Sequence, residues 1–128
     1  MEPWIRVAIL SVGGALGVNA RYWLGVWMSR WVSHPFPWAT FTINVSGSFA
    51  IGFLSVALDR WLPHPNVRLL VLVGFLGGYT TFSTFSFDSM TLWERGGVGL
   101  SLANMVGSVA AGLVAVGLGL RLARALSF

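Results

Sequence analysis

The sequence predicts an all-α membrane protein of four transmembrane helices, and three observations lead there. Hydrophobic residues make up 55% of the 128-residue chain and charged residues only 9%, far below the roughly one quarter that covers a soluble domain. Four apolar runs, approximately 5–28, 38–58, 67–93 and 98–122, can each cross a hydrocarbon core that takes about 20 helical residues. Tryptophan gathers at their ends. Trp4, Trp27, Trp31, Trp38, Trp61 and Trp93 sit where amphipathic rings meet headgroups. With a mean hydropathy of +0.75, residues 1–128 read as a single four-helix domain whose solvent is lipid.

The first run is too long for a signal-peptide core and lacks a small-residue cleavage pattern, so it is a membrane helix. Gly13 and Gly17 form a small-xxx-small pair on it, a face that admits a close neighbour. Arg21 is the one charge well inside a predicted span. Its stem suits it to snorkel to headgroups, the simpler reading, or to draw anions into a vestibule. Ser33-His34-Pro35-Phe36-Pro37 ends the first hairpin and Pro63-His64-Pro65-Asn66 the second. Between them, Thr40, Asn44 and Ser48 recur every four residues and form one polar stripe. An amide there is either interhelical glue or a pore donor.

The third run is the most informative. Gly77-Gly78 followed by Thr80-Thr81 makes a poor continuous helix, and an interruption in the bilayer survives only if buried in protein or lining a hydrated or ion-filled cavity. Carbonyls freed in this way are a recurrent means of holding a bare cation; the bland alternative is that the glycines only ease helix packing. Phe82 and Phe85 lie three residues apart on one face, interleaved with Ser83, Thr84 and Ser86. Aromatic ring edges are electropositive and attract small anions, although phenylalanine in a membrane helix ordinarily just packs. Glu94-Arg95-Gly96-Gly97 turns the chain into the fourth run, where Asn104 and Ser108 repeat the polar spacing and Ala103, Gly107 and Ala111 offer small faces. Two polar stripes beside an interrupted helix point to a narrow pathway. Four helices do not readily enclose one alone, so a homo-oligomer is expected, most simply a dimer.

Charge excludes several classes. All the basic residues are arginine, scattered at the edges of apolar runs rather than clustered as nucleic-acid binding requires. Arg6, Arg60, Arg68, Arg121 and Arg124 fall on the side of the termini, against Arg21, Arg30 and Arg95 on the other. This mild bias favours cytoplasmic termini and is equally what a chain inserting both ways round would carry. There is no cysteine, His34 and His64 stand alone in loops, and no nucleophile–base set or phosphate loop supports an enzyme. Glu2, Asp59, Asp88 and Glu94 are the only acids, none at mid-span, which weakens the rival reading as a small multidrug-type proton-coupled exporter. A second rival is a non-transporting assembly in which glycines and polar stripes only pack helices.

Over essentially its whole length the chain resembles the small bacterial fluoride channels, the Fluc or CrcB family. The resemblance lies in three ordered blocks: Gly13-Gly14-x-x-Gly17 with Arg21-Tyr22; Thr40-x-x-x-Asn44-x-x-Gly47-Ser48-Phe49-x-x-Gly52; and Gly74-Phe75-x-Gly77-Gly78-x-Thr80-Thr81-Phe82-Ser83-Thr84-Phe85-Ser86. It implies an antiparallel, dual-topology homodimer in the bacterial inner membrane with two fluoride pores. It also implies a structural sodium ion at the dimer centre, on the backbone carbonyls of Gly77 and Thr80. By the same resemblance Phe82 and Phe85 are the pore phenylalanines, Asn44 and Thr40 line the pore with Ser83 and Thr84 beside them, and Arg21 is the vestibule arginine. Asn104 and Ser108 form the fourth-helix polar track. Gly112 stands where that track has a third hydroxyl, and Asp88 where many members have glutamate. The implied function is passive, fluoride-selective efflux.

Overall fold

The computed structural model describes residues 2–126. It is helical throughout: α1 (Pro3–Ser29), α2 (Trp38–Trp61), α3 (Pro65–Arg68), a π-helical stretch (Leu69–Phe75), α4 (Leu76–Tyr79), α5 (Phe82–Glu94) and α6 (Val98–Ala125). Four spans, Pro3–Ser29, Trp38–Trp61, Pro65–Glu94 and Val98–Ala125, are long and apolar enough to cross a bilayer.

Local chemistry sets the ends. Proline opens α1 and α3, where a missing N–H costs nothing, and the His64 ring Nδ1 accepts the Asn66 N–H at 3.1 Å to cap α3. Thr81 caps α5, its Oγ1 accepting the Thr84 N–H at 3.3 Å. After α5 the chain reverses at Gly96, whose φ of 84° is a conformation that side chains disfavour.

The spans pack by close backbone approach rather than by large interlocking side chains. A Cβ on Gly13 would lie 2.5 Å from the Leu70 carbonyl oxygen, and one on Gly17 would run into the Phe75 carbonyl. The face of α1 read as admitting a neighbour therefore receives the π-helical stretch, whose wide turns bring its carbonyls against it. Along the other seam, α2 lies against α6, with Gly52 at the Val116 carbonyl and Gly119 at the Phe49 carbonyl. The Ala103–Gly107–Ala111 face makes no comparable contact among the described residues, and a Cβ on Gly107 would meet open space.

Few large apolar residues are buried, chiefly Ile43, Leu72, Leu76 and Leu92. Leu16, Val106, Leu113 and Leu118 point outward. In lipid such exposure carries no penalty, because acyl chains are as apolar as leucine. The α2–α6 seam, like that of α1, is then sensitive to bulk. Gly52→Leu should destabilise the fold by at least about 1–3 kcal/mol, read as a lowered melting temperature in detergent and loss of a monodisperse species.

Candidate functional site

Two residues between α4 and α5 leave the helical region: Thr80 at φ −84°, ψ 154° and Thr81 at φ −149°, ψ 119°. Each polar backbone group released inside a bilayer costs several kcal/mol unless it finds a partner. Asn44 supplies two. Its Nδ2 donates to the Thr81 carbonyl at 3.0 Å, and its Oδ1 accepts the Thr81 N–H at 2.8 Å. The Arg21 Nε donates to the Gly78 carbonyl at 3.1 Å. Arg21, expected at a headgroup or in a vestibule, thus reaches across to the end of α4.

The same bonds redirect donors. In a continuous helix the Thr81 N–H would serve the Gly77 carbonyl and the Thr84 N–H the Thr80 carbonyl. The first instead goes to Asn44 Oδ1 and the second to Thr81 Oγ1. The two carbonyls that the family resemblance implies for a cation, Gly77 and Thr80, are among those whose helical donors are turned away.

Beside this interruption lies an open cavity of about 360 Å³, lined by Asn44 and Ser48 from α2, by Gly77, Thr80, Thr81, Phe82 and Phe85, and by Ser108 from α6. Phe82 and Phe85 face one another at a tilt of 49° with centroids 5.7 Å apart. Phe82 is 78% exposed, so apart from Phe85 its ring is left largely open. Ser48 donates to the Asn44 carbonyl at 2.7 Å and stands beside Gly112, so a hydroxyl from α2 occupies the region where the fourth-helix track lacks one.

Other candidates lie elsewhere. Thr40 does not line the cavity; it lies beside the Asp88 carboxyl, because the start of α2 lies against the last turns of α5. Asp88 borders a second cavity of about 480 Å³ with Pro35, Pro37 and Arg95, toward one end of the bundle. Ser83 and Thr84 turn their hydroxyls to Thr81 Oγ1, each at 3.3 Å, as residues in the first turn of a capped helix do.

Asn104 departs most from expectation. Read as pathway-lining, it is 1% exposed and sits between α5 and α6. Ser108 Oγ donates to its Oδ1 at 3.0 Å, and its Nδ2 donates to Ser89 Oγ at 2.9 Å. Ser89 Oγ donates in turn to the Phe85 carbonyl at 2.8 Å, and Ser101 Oγ to the Ser89 carbonyl at 2.7 Å. Sequence reasoning passed over Ser89 and Ser101. The signal was present, since Ser101, Asn104 and Ser108 fall on one helical face and Ser89 lies one turn beyond Phe85.

Residues 8–120 match the family described as CrcB-like protein, Camphor Resistance (CrcB). The fluoride-specific ion channel FluC of Agrobacterium fabrum is 43% identical over 121 residues, covering 94% of this chain and 97% of its own. FluC of Solibacter usitatus is 44% identical over 121 residues, covering 94% and 99%. FluC of Rhodospirillum centenum is 45% identical over 103 residues, covering 80% and 82%.

Replacing the Asn44 amide should cost stability as well as any transport. Asn44→Leu strands the Thr81 N–H, worth about 1–3 kcal/mol when left unsatisfied, removes the second donor to the carbonyl of the residue that caps α5, and should lower the melting temperature markedly. Ser48→Ala removes a hydroxyl whose acceptor keeps its helical partner, and should shift it less than half as far.

Proposed function

The chain belongs to the CrcB family, and from that premise we propose that it is a fluoride-selective channel releasing fluoride passively across the bacterial inner membrane. The observation that carries this reading in the structure is the cavity beside Thr80 and Thr81, which Phe82 and Phe85 line together with Asn44. Fluoride is small and strongly hydrated, and removing its water is costly unless donors replace the shell. The Asn44 amide has a second N–H beyond the one given to Thr81, and the ring edges add positive potential. A passage narrow enough to need all of these rejects the larger chloride by size.

The working unit is an antiparallel, dual-topology homodimer. Support comes from the 78% exposure of Phe82, a ring placed on a cavity wall that one protomer leaves open. A sodium ion at the dimer centre is part of the same proposal. The Gly77 and Thr80 carbonyls fit it, since both border the cavity and the donors that would occupy them in a helix are engaged elsewhere. Hard cations take such oxygen ligands, and the ion would supply positive charge that ties two copies together and neutralises those dipoles. The transport path needs no proton coupling, and Asp88 lies beside Thr40 away from the cavity.

Reconstituted in liposomes and followed with ion-selective electrodes, the protein should release fluoride rapidly and retain chloride. The pair Phe82→Ile and Phe85→Ile should slow fluoride release about tenfold or more while the dimer persists on size exclusion. Unchanged release would remove the rings from the pathway. Exchanging sodium for N-methylglucamine should shift the protein toward monomer.

A further inference from the structure

The hydroxyl groups around the cavity are turned the wrong way for an anion. A serine has one proton to donate, and Ser108, the α6 residue on the cavity wall, gives its proton to Asn104 Oδ1. Its face toward the cavity therefore carries lone pairs, which repel fluoride. The ladder behind it runs in one direction: Ser108 donates to Asn104, Asn104 to Ser89, and Ser89 to the Phe85 carbonyl.

That direction is reversible without moving a helix. The oxygen and nitrogen of a side-chain amide are nearly the same size, so a half-turn of the Asn104 amide exchanges donor for acceptor at the same positions. With the amide reversed, Nδ2 donates to Ser108 Oγ, and Oδ1 accepts from Ser89, whose hydroxyl rotates away from Phe85. The Phe85 carbonyl keeps its helical N–H partner. Ser108 is then left with a free proton aimed at the cavity. No bond breaks and no proton leaves its oxygen; every member of the ladder remains satisfied in both directions, as burial at 1% for Asn104 and 3% for Ser89 demands.

We propose that Asn104 is a polarity-reversing positioning residue, buried behind the pathway, that sets whether Ser108 presents a proton or lone pairs to a passing anion. The proposal rests on the fluoride-channel reading and deepens it. An anion at Ser108 favours the donor direction, and its departure lets the ladder relax, so the site binds without holding on.

The test is a double-mutant cycle in liposomes at pH 8, after wild type has been shown to pass fluoride. Failure of wild type there sinks the channel reading itself, whereas the variants test only Asn104. Asn104→Asp is nearly isosteric; its neutral acid keeps a donor and an acceptor as the amide does, whereas the ionised carboxylate only accepts and fixes the Ser108 proton inward, so the loss should grow as the assay is repeated toward about pH 10. Fluoride release should fall about tenfold or more. Placed on Ser108→Ala, the same substitution should cost nothing further, because there is no proton left to direct. An equal loss in both backgrounds overturns the proposal. Should Asn104→Asp fail to assemble, Asn104→Leu decides the matter. Without the amide the Ser108 proton is free, and release should stay within about threefold of wild type. A tenfold loss in Asn104→Leu, from protein with an unaltered melting temperature and dimer peak, overturns it as well.

Discussion

A side-chain amide carries the same donor and acceptor as a peptide group, and the bidentate pairing of Asn44 with Thr81 uses that identity. Two extended residues inside a bilayer would otherwise release polar groups that hydrocarbon cannot satisfy. Asn44 takes one of each kind, the Thr81 hydroxyl takes the Thr84 N–H, and Arg21 takes the Gly78 carbonyl. The allocation is lopsided. The Thr81 and Thr84 N–H groups are met by side chains, while the Gly77 and Thr80 carbonyls lose those donors. A region rich in spare acceptors suits a cation, and the donors needed by an anion must come from side chains and ring edges beside it.

This polarity is held by a chain with little conventional core. Its cohesion lies in glycine-mediated approach of α1 to the π-helical stretch and of α2 to α6, with a single buried polar seam between α5 and α6 built on Ser89, Ser101 and Asn104. Such packing needs no water-driven collapse, which lipid cannot provide. It also fixes helix positions closely, since backbone against backbone leaves no side-chain slack.

Legibility in the sequence followed the kind of physics involved. Hydropathy and interfacial tryptophan made the four spans plain, because they are one-dimensional quantities. Gly13 and Gly17 disclosed a packing face but not its occupant. The run Gly77-Gly78-x-Thr80-Thr81 signalled an interruption, and its position within the run fell to the threonines: Gly77 and Gly78 are helical and the extended residues are Thr80 and Thr81. Spacing placed Asn44 and Ser108 on suitable faces, and the same spacing put Thr40 and Asn104 beside them. Whether a polar residue meets a cavity or a neighbouring helix depends on rotation about the helix axis, which spacing leaves free. Hence Thr40 turned out to face Asp88, and Asn104 to face Ser89.

The third span has a further property that follows from its pieces. Pro65–Tyr79 is one unbroken helical run whose middle, Leu69–Phe75, is π-helical, a geometry that free chains rarely adopt. The first half of this span is therefore shaped from outside, by the glycine face of α1 that its carbonyls lie against. That mould is synthesised first. By the time Leu69–Phe75 leaves the ribosome, the surface that forces its wide turns already exists, so chain order itself becomes part of how the interrupted helix is made.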